Sequence, residues 1–98
     1  MKEMQLISIT EFCAFHEVDA SFISSLEQSG LIRIVRLDEA DFIELEQLTQ
    51  LEKFARLYYE LDINVEGIET IYHLMERFNK MQEELQSLRN RLKFYESE

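Results

Sequence analysis

The longest pattern in the chain is a run of apolar residues near its C-terminus, spaced alternately three and four positions apart. The run starts at Ile71, and neither Pro nor Gly interrupts it. This heptad pattern predicts one long helix over residues 64–96, about 50 Å long, whose apolar seam needs a partner helix. A second copy is the simplest partner, so we predict a homodimer. The predicted dimer seam consists of Phe78, Met81, Leu85, Leu88, Leu92 and Tyr95.

The residues beside this seam carry charges of both signs. In a parallel pair, Glu84 would face Arg89 of the second copy, and Arg91 would face its Glu96, so both contacts join opposite charges. An antiparallel pair can accommodate mixed signs as well. The flanking charges therefore support a dimer and leave its orientation open.

The first third of the chain has the start and stop signals of two short helices. Ser8 and Glu11 form a capping box, which predicts a helix over residues 9–16. Asp19 is a good N-cap for a second helix over residues 20–29, and Gly30 follows where a helix end needs a positive φ. Two short helices joined by a tight turn predict a helix-turn-helix.

The middle of the chain predicts a small β wing followed by a third helix. Residues 31–36 are mostly apolar and β-branched and predict a strand, residues 37–41 a turn, and residues 42–43 a brief return strand. Helical spacing of apolar residues then predicts a helix over residues 44–61. We therefore predict a mainly α fold: a winged helix-turn-helix domain over residues 1–75 and a coiled-coil dimerisation part of the long helix over residues 76–98.

Charge narrows the choice of partner. Twenty acidic residues oppose ten basic ones among 98, which gives a formal net charge of −10. DNA binding depends on Lys and Arg meeting phosphates, so the balance favours a basic protein partner, or serves only solubility. The N-terminus shows no signal peptide and no long apolar run spans a membrane, while a single cysteine fits a reducing compartment. These features predict a cytoplasmic protein.

The residues that could carry chemistry do not form a recognisable site. Cys13 and His16 have the spacing of metal ligands, but the chain has no second cysteine, and a zinc site needs three or four ligands. Neither a Gly-rich phosphate loop nor a nucleophile elbow is present. We predict no catalytic activity, no metal and no cofactor.

The order of predicted elements resembles the MerR superfamily of winged-helix regulators. The stretch VDASFISSLEQSGLI at residues 18–32 follows the recognition-helix pattern of that superfamily without a gap, and Arg36 matches an arginine after it. Where DNA-binding members carry Arg-Tyr, this chain has Ser24 and Ser25, and an acidic segment, LDEAD at residues 37–41, replaces their Gly-Tyr-Arg wing motif. The departures predict weak or absent DNA binding.

A more specific resemblance covers nearly the whole chain. The stretches ITEFC (9–13), RLYYEL (56–61), INVEGI (63–68) and LRNRL (88–92) are similar to the chaperone-modulator protein CbpM family, with Glu66 where relatives often have proline. The resemblance implies a protein that binds the J-domain of a DnaJ-like co-chaperone of the CbpA type and inhibits its stimulation of Hsp70. J-domains present a basic helix to Hsp70, which an acidic protein could cover.

Two functions of different classes follow from these patterns. The first is a chaperone modulator that binds a J-domain, and the alternative is a MerR-like DNA-binding transcription regulator. For the modulator we predict an acidic contact surface on the second helix, the wing and the start of the third helix. Its residues are Asp19, Glu27, Asp38, Glu39, Asp41 and Glu44.

Overall fold

The computed structural model describes residues 5–96 as a helical head from which one long helix extends. Residues 1–4 and 97–98, the outer ends of the two predicted parts, lie outside the described residues. A small antiparallel sheet of order β1-β3-β2 accompanies the helices, so the predicted mainly α winged helix-turn-helix fold is confirmed. The elements are β1 (Leu6–Ser8), α1 (Ile9–His16), α2 (Ala20–Gln28), β2 (Val35–Leu37), β3 (Ala40–Glu44), a 3-10 turn (Leu45–Gln47), α3 (Leu48–Tyr59) and α4 (Val65–Glu96).

Local capping residues set most helix ends where the sequence predicts them. The Ser8 hydroxyl accepts a hydrogen bond from the Glu11 N–H at 3.3 Å, which starts α1. After α2, Gly30 has a φ of +76° and the Leu31 N–H donates to the Leu26 carbonyl at 3.0 Å, the hydrogen bond of a Schellman motif. The Asn64 side chain accepts from the Gly67 N–H at 2.8 Å at the start of α4. These predicted boundaries are confirmed.

Asp19 occupies the N-cap position of α2 but does not cap it with its side chain. Its backbone N–H instead donates to the Tyr59 hydroxyl at 3.0 Å. This bond joins the start of α2 to the end of α3. The predicted N-cap position of Asp19 is therefore confirmed, although its side chain makes no capping hydrogen bond and its backbone serves a contact between helices.

The predicted strand over residues 31–36 is wrong for residues 31–34, because β2 begins at Val35. Leu31 and Ile32 are buried in the core without pairing to a strand, because they follow the turn at Gly30 directly. The Gln47 side chain then accepts from the Arg33 N–H at 3.0 Å and donates to the Arg33 carbonyl at 3.3 Å. A side-chain amide thus satisfies the backbone where a strand partner would have done so.

The predicted third helix starts too early and ends too late. Glu44 is the last residue of β3 and pairs with Leu6 of β1, a strand that the sequence did not predict. The α-helix begins at Leu48 after the 3-10 turn and ends at Tyr59, so Leu61 lies beyond it and is exposed. Pairing with β1 keeps Glu44 extended and delays the helix.

The core lies between α1, α2, α3, β3 and the first turn of α4. Leu26, Ile43, Leu51 and Ile68 are completely buried, one each from α2, β3, α3 and α4. Every described residue of α4 from His73 onward is exposed, so the head ends within two turns of the start of that helix. The other buried apolar residues are Ile9, Phe12, Val18, Phe22, Ile23, Leu31, Ile32 and Phe54.

The turn of the β2–β3 hairpin forces two acidic residues into the left-handed region. Asp38 has a φ of 48° and Glu39 a φ of 63°, as in a type I′ turn, where Gly is favoured at the second position. A side chain in this conformation costs about 1–2 kcal/mol. The hairpin therefore has a conformational cost that comes from its acidic tip.

Glu39→Gly is expected to raise the free energy of unfolding by about 0.5–1 kcal/mol. Glycine removes the strain of the positive φ, and this gain exceeds the extra chain entropy that glycine loses on folding. Urea unfolding followed by circular dichroism measures the difference. Glu39→Ala is the matched control: it removes the carboxylate and keeps the Cβ, so it should leave stability unchanged. Equal stabilisation by both variants would assign the effect to charge and contradict the backbone explanation.

Candidate interaction surfaces

The exposed side of α2 is short, polar and without positive charge. Phe22, Ile23 and Leu26 face the core, which leaves Ser21 and Ser24 exposed on the other side. The Ser25 hydroxyl donates to the Ser21 carbonyl at 3.0 Å, so part of the polarity is satisfied within the helix. No Lys or Arg occurs in α1 or α2. In the position of a recognition helix, α2 therefore offers nothing to neutralise a phosphate.

The arginine of the wing is held by carboxylates. The Arg36 guanidinium donates two hydrogen bonds to the Glu27 carboxylate, at 2.9 and 3.0 Å, and its Nε lies 3.5 Å from the nearer Asp41 oxygen. The hydrogen bond from Arg36 holds the pKa of the Glu27 carboxyl below its ordinary value, and Glu27 raises the pKa of Arg36. Two carboxylates thus offset the charge of a cation whose side chain remains 59% exposed on the wing.

Four of the six predicted contact residues are brought together. Asp38 and Glu39 form the tip of the hairpin, Asp41 lies opposite Arg36 on β3, and Glu27 reaches the same arginine from α2. We call these four the wing-tip carboxylates. With one arginine among them, this surface keeps a negative charge.

The other two predicted residues lie apart from the wing tip. Asp19 is at the opposite end of α2, about 12 Å along the helix from Glu27, where its backbone contacts Tyr59. Glu44 is at the far end of β3, where a hydrogen bond with the Glu46 carboxyl raises its pKa, while Arg33 opposes that rise. The structure therefore does not assemble all six into one surface.

Sequence reasoning missed a groove between the end of α1 and the face of α3. The volume of the groove is about 310 Å³. The ring of His16, one of its lining residues, makes an edge-on contact with the Phe15 ring, with 5.0 Å between the ring centroids. The available signal was that Phe15 lies off the helix face shared by Ile9 and Phe12, the two buried residues of α1. The groove is lined by His16, Val18, Glu52, Ala55, Arg56, Tyr59 and Glu60.

The heptad seam on α4 has no partner among residues 5–96, the part of the chain that the structure describes. Ile71 is half-buried against the head, whereas Leu74 is already 56% exposed. The six predicted seam residues are between 43% and 68% exposed. A continuous apolar stripe of this length marks an interaction site in a protein. The seam is thus a second candidate surface, separate from the wing tip.

The residues considered for metal binding do not converge. Within residues 5–96 there is no group of three His, Cys, Asp or Glu side chains placed to hold an ion. Burial, and to a smaller extent the charge of Asp19, raises the pKa of the Cys13 thiol, which favours the unreactive protonated form. His73 lies on the exposed side of α4, 3.7 Å from Glu76 and 3.9 Å from Glu69. Ordinary helix-surface pairing accounts for this arrangement.

Comparison with known families assigns most of the chain. Residues 7–90 match the family model described as MerR HTH family regulatory protein. The match runs from β1 through most of α4 and so includes the helix-turn-helix, the wing and much of the seam. No curated protein and no solved structure matches the chain. Among the described residues, no helix is both long enough and apolar enough to cross a membrane.

Proposed function

The chain belongs to the MerR HTH family of regulatory proteins, and we propose that within this family it is a chaperone modulator. In this proposal it binds the J-domain of a DnaJ-like co-chaperone of the CbpA type and inhibits the stimulation of Hsp70. Family membership supports a helix-turn-helix regulator in general. The more specific proposal is supported by the resemblance described above and by the charge of the wing tip.

The paired state of Arg36 is the observation that carries the proposal. A MerR-like protein that binds DNA needs cations on its recognition helix and wing, since phosphate contacts supply affinity and position the protein. Here α2 has none, and Arg36 is engaged by Glu27 and Asp41. The wing-tip carboxylates would repel a phosphate backbone and attract a basic helix such as the one that a J-domain presents.

A homodimer is part of the same proposal. The seam on α4 is apolar over three heptads and exposed in the single chain, and its flanks carry charges that can pair between copies. Two copies would present two wing tips, so the proposed modulator binds two J-domains per dimer.

The second candidate function is DNA-binding transcription regulation, which the family description favours. It requires a basic surface that could form if Arg36 were released from its two carboxylates. Binding to duplex DNA of random sequence at low salt gives electrostatic attraction its best chance. A complex at sub-micromolar protein would contradict the modulator proposal and favour the regulator.

The direct test is calorimetric binding of the cognate J-domain at two ionic strengths. Asp38→Lys combined with Glu39→Lys is expected to weaken binding about tenfold at low salt, because each reversal replaces an attraction by a repulsion worth up to about 1 kcal/mol. The loss should shrink at high salt, where exposed charges are screened.

The matched control for this test makes the same change in net charge on α4 instead of at the wing tip. Glu76→Lys combined with Glu83→Lys places two lysines at outer positions of the α4 heptads, away from the head. The control variant should bind the J-domain nearly as wild type does. Failure of the wild-type protein to bind would overturn the proposed function, whereas equal losses in both double variants would indicate a general charge effect and exclude the wing tip as the contact.

A further inference from the structure

Phe15 is the most exposed large apolar side chain of the described residues, at 84%. It lies in the last turn of α1 with its ring against the edge of His16, whose other contact is the buried Phe12 ring at 4.3 Å between centroids. His16 therefore supports Phe15 from the side of the core without covering it. An aromatic ring held outward in this way is the kind of residue that dominates the energetics of protein interfaces.

The groove beside Phe15 has an apolar floor and charged walls. Val18 and Ala55 supply the floor, and Tyr59, which is fixed through its hydroxyl by the Asp19 N–H, closes one end. Glu52 lies one helical turn before Arg56 on α3, and Glu60, the C-cap residue, lies one turn after it. A concave site with these dimensions accepts one bulky side chain, with polar groups left at the rim.

The charged residues that line this groove are two carboxylates and one guanidinium, so its formal charge is negative. The carboxylates of Glu52 and Glu60 make no ion pair with any residue in the part of the chain that the structure describes. Arg56 is the cation of the groove lining. The carboxylates on the groove and on the adjoining residues of α1 and the following turn are Glu11, Glu17, Asp19, Glu52 and Glu60.

We propose that the groove between α1 and α3, together with Phe15, whose ring contacts the lining residue His16, is a docking site for an amphipathic helix of a basic protein partner. A bulky apolar side chain of that helix packs between Phe15 and Tyr59, and neighbouring Lys or Arg side chains pair with Glu52 and Glu60. The inference rests on the proposed function, since it takes the J-domain as the partner. It adds an apolar anchor to the electrostatic contact at the wing tip.

Charge also decides against a second copy as the occupant. The protein carries a formal net charge of −10, so another copy would bring further carboxylates to a groove that is already acidic. The seam on α4 supplies a separate apolar surface for self-association. A basic partner instead gains attraction at the rim and burial at the floor.

The test compares binding of the cognate J-domain by wild type, Phe15→Ala, and Glu52→Gln combined with Glu60→Gln, by calorimetry at two ionic strengths. Phe15→Ala should weaken binding by about 30-fold at both salts, as expected for an apolar hot spot. The double Gln variant should weaken it several-fold at low salt and little at high salt. Leu45→Ala, which shortens an exposed side chain outside the groove, is the matched control and should bind as wild type.

The outcomes separate this inference from the proposed function. If the wild-type protein does not bind the J-domain, both the proposed function and the J-domain as occupant of the groove are overturned. Wild-type binding together with unchanged binding by Phe15→Ala overturns the docking site alone. Sedimentation equilibrium of Phe15→Ala should match wild type; weaker self-association would identify a second copy as the occupant and contradict the inference. Thermal unfolding confirms that the variant is folded.

Discussion

Replacing Leu85 and Leu88 by Lys is expected to convert the proposed homodimer into a monomer. Both side chains are exposed in the single chain, at 43% and 59%, and lie at successive seam positions of the heptad pattern. In a dimer the substitution would bury four ammonium groups at the centre of an apolar interface, where an unpaired charge costs several kcal/mol. Sedimentation equilibrium at tens of micromolar measures the change.

The same substitution is expected to reduce helix content. From His73 onward the described part of α4 makes no buried contact with the head, and most of the stability of a helix in a protein comes from packing its apolar face. The C-terminal turns therefore depend on a partner helix for their stability. Far-ultraviolet circular dichroism should show a partial loss of the helical signal, while the unfolding transition of the head is retained.

A matched control separates the seam from a general effect of added lysines. Gln86→Lys combined with Ser87→Lys adds the same charge one and two residues after Leu85, at outer positions of the heptad. This variant should remain dimeric. A wild-type protein that sediments as a monomer throughout the range would remove the dimer from the proposed function.

Phe54→Ala is expected to lower the free energy of unfolding by about 3–5 kcal/mol. Phe54 is 1% exposed, and its ring packs edge-on against Tyr72 of α4 at 5.9 Å between centroids. The substitution leaves a cavity where α3 meets α4, and little of the loss can be recovered by relaxation. Since small domains have marginal stability, a loss of this size should leave much of the protein unfolded at 37 °C.

Urea unfolding measures this loss, and Phe15→Ala is its control. The control removes the same phenyl ring from a site that is 84% exposed, so it should change stability by no more than about 0.5 kcal/mol. A similar loss in both variants would contradict the assignment of Phe54 to the core and of Phe15 to the surface. The comparison therefore also checks that Phe15→Ala folds as the wild type does, which the binding test of the proposed docking site requires.

The helical framework of this protein was predictable because its signals are local. Ser8 caps α1, Gly30 forms the turn after α2, and Asn64 caps α4, each through hydrogen bonds between residues at most five positions apart. The heptad spacing after Ile71 likewise predicts one continuous helix, and the structure shows it as far as Glu96, the last described residue. Such patterns depend on neighbours in the sequence and can be read without the fold.

The sheet and the start of α3 were predicted poorly because they depend on distant partners. β1 has three residues, too few to show alternation, and it forms because Leu6 to Ser8 pair with Phe42 to Glu44. That pairing keeps Glu44 extended. The side chain of Gln47, fourteen residues from Arg33, replaces a strand partner. No pattern within a short window contains this information.

The sequence by itself determined the helices, the exposed seam and the excess of acidic over basic residues, since each follows from local spacing or composition. Tertiary structure decided which of those charges and apolar groups remain exposed and able to contact a partner. It brings Glu27 and Asp41 to Arg36 and so offsets the positive charge on the wing, and it leaves Phe15 outside the core while Phe12 is buried. The physical reason is that pairing and burial depend on which elements meet in space, and that is set by the packing of the whole head.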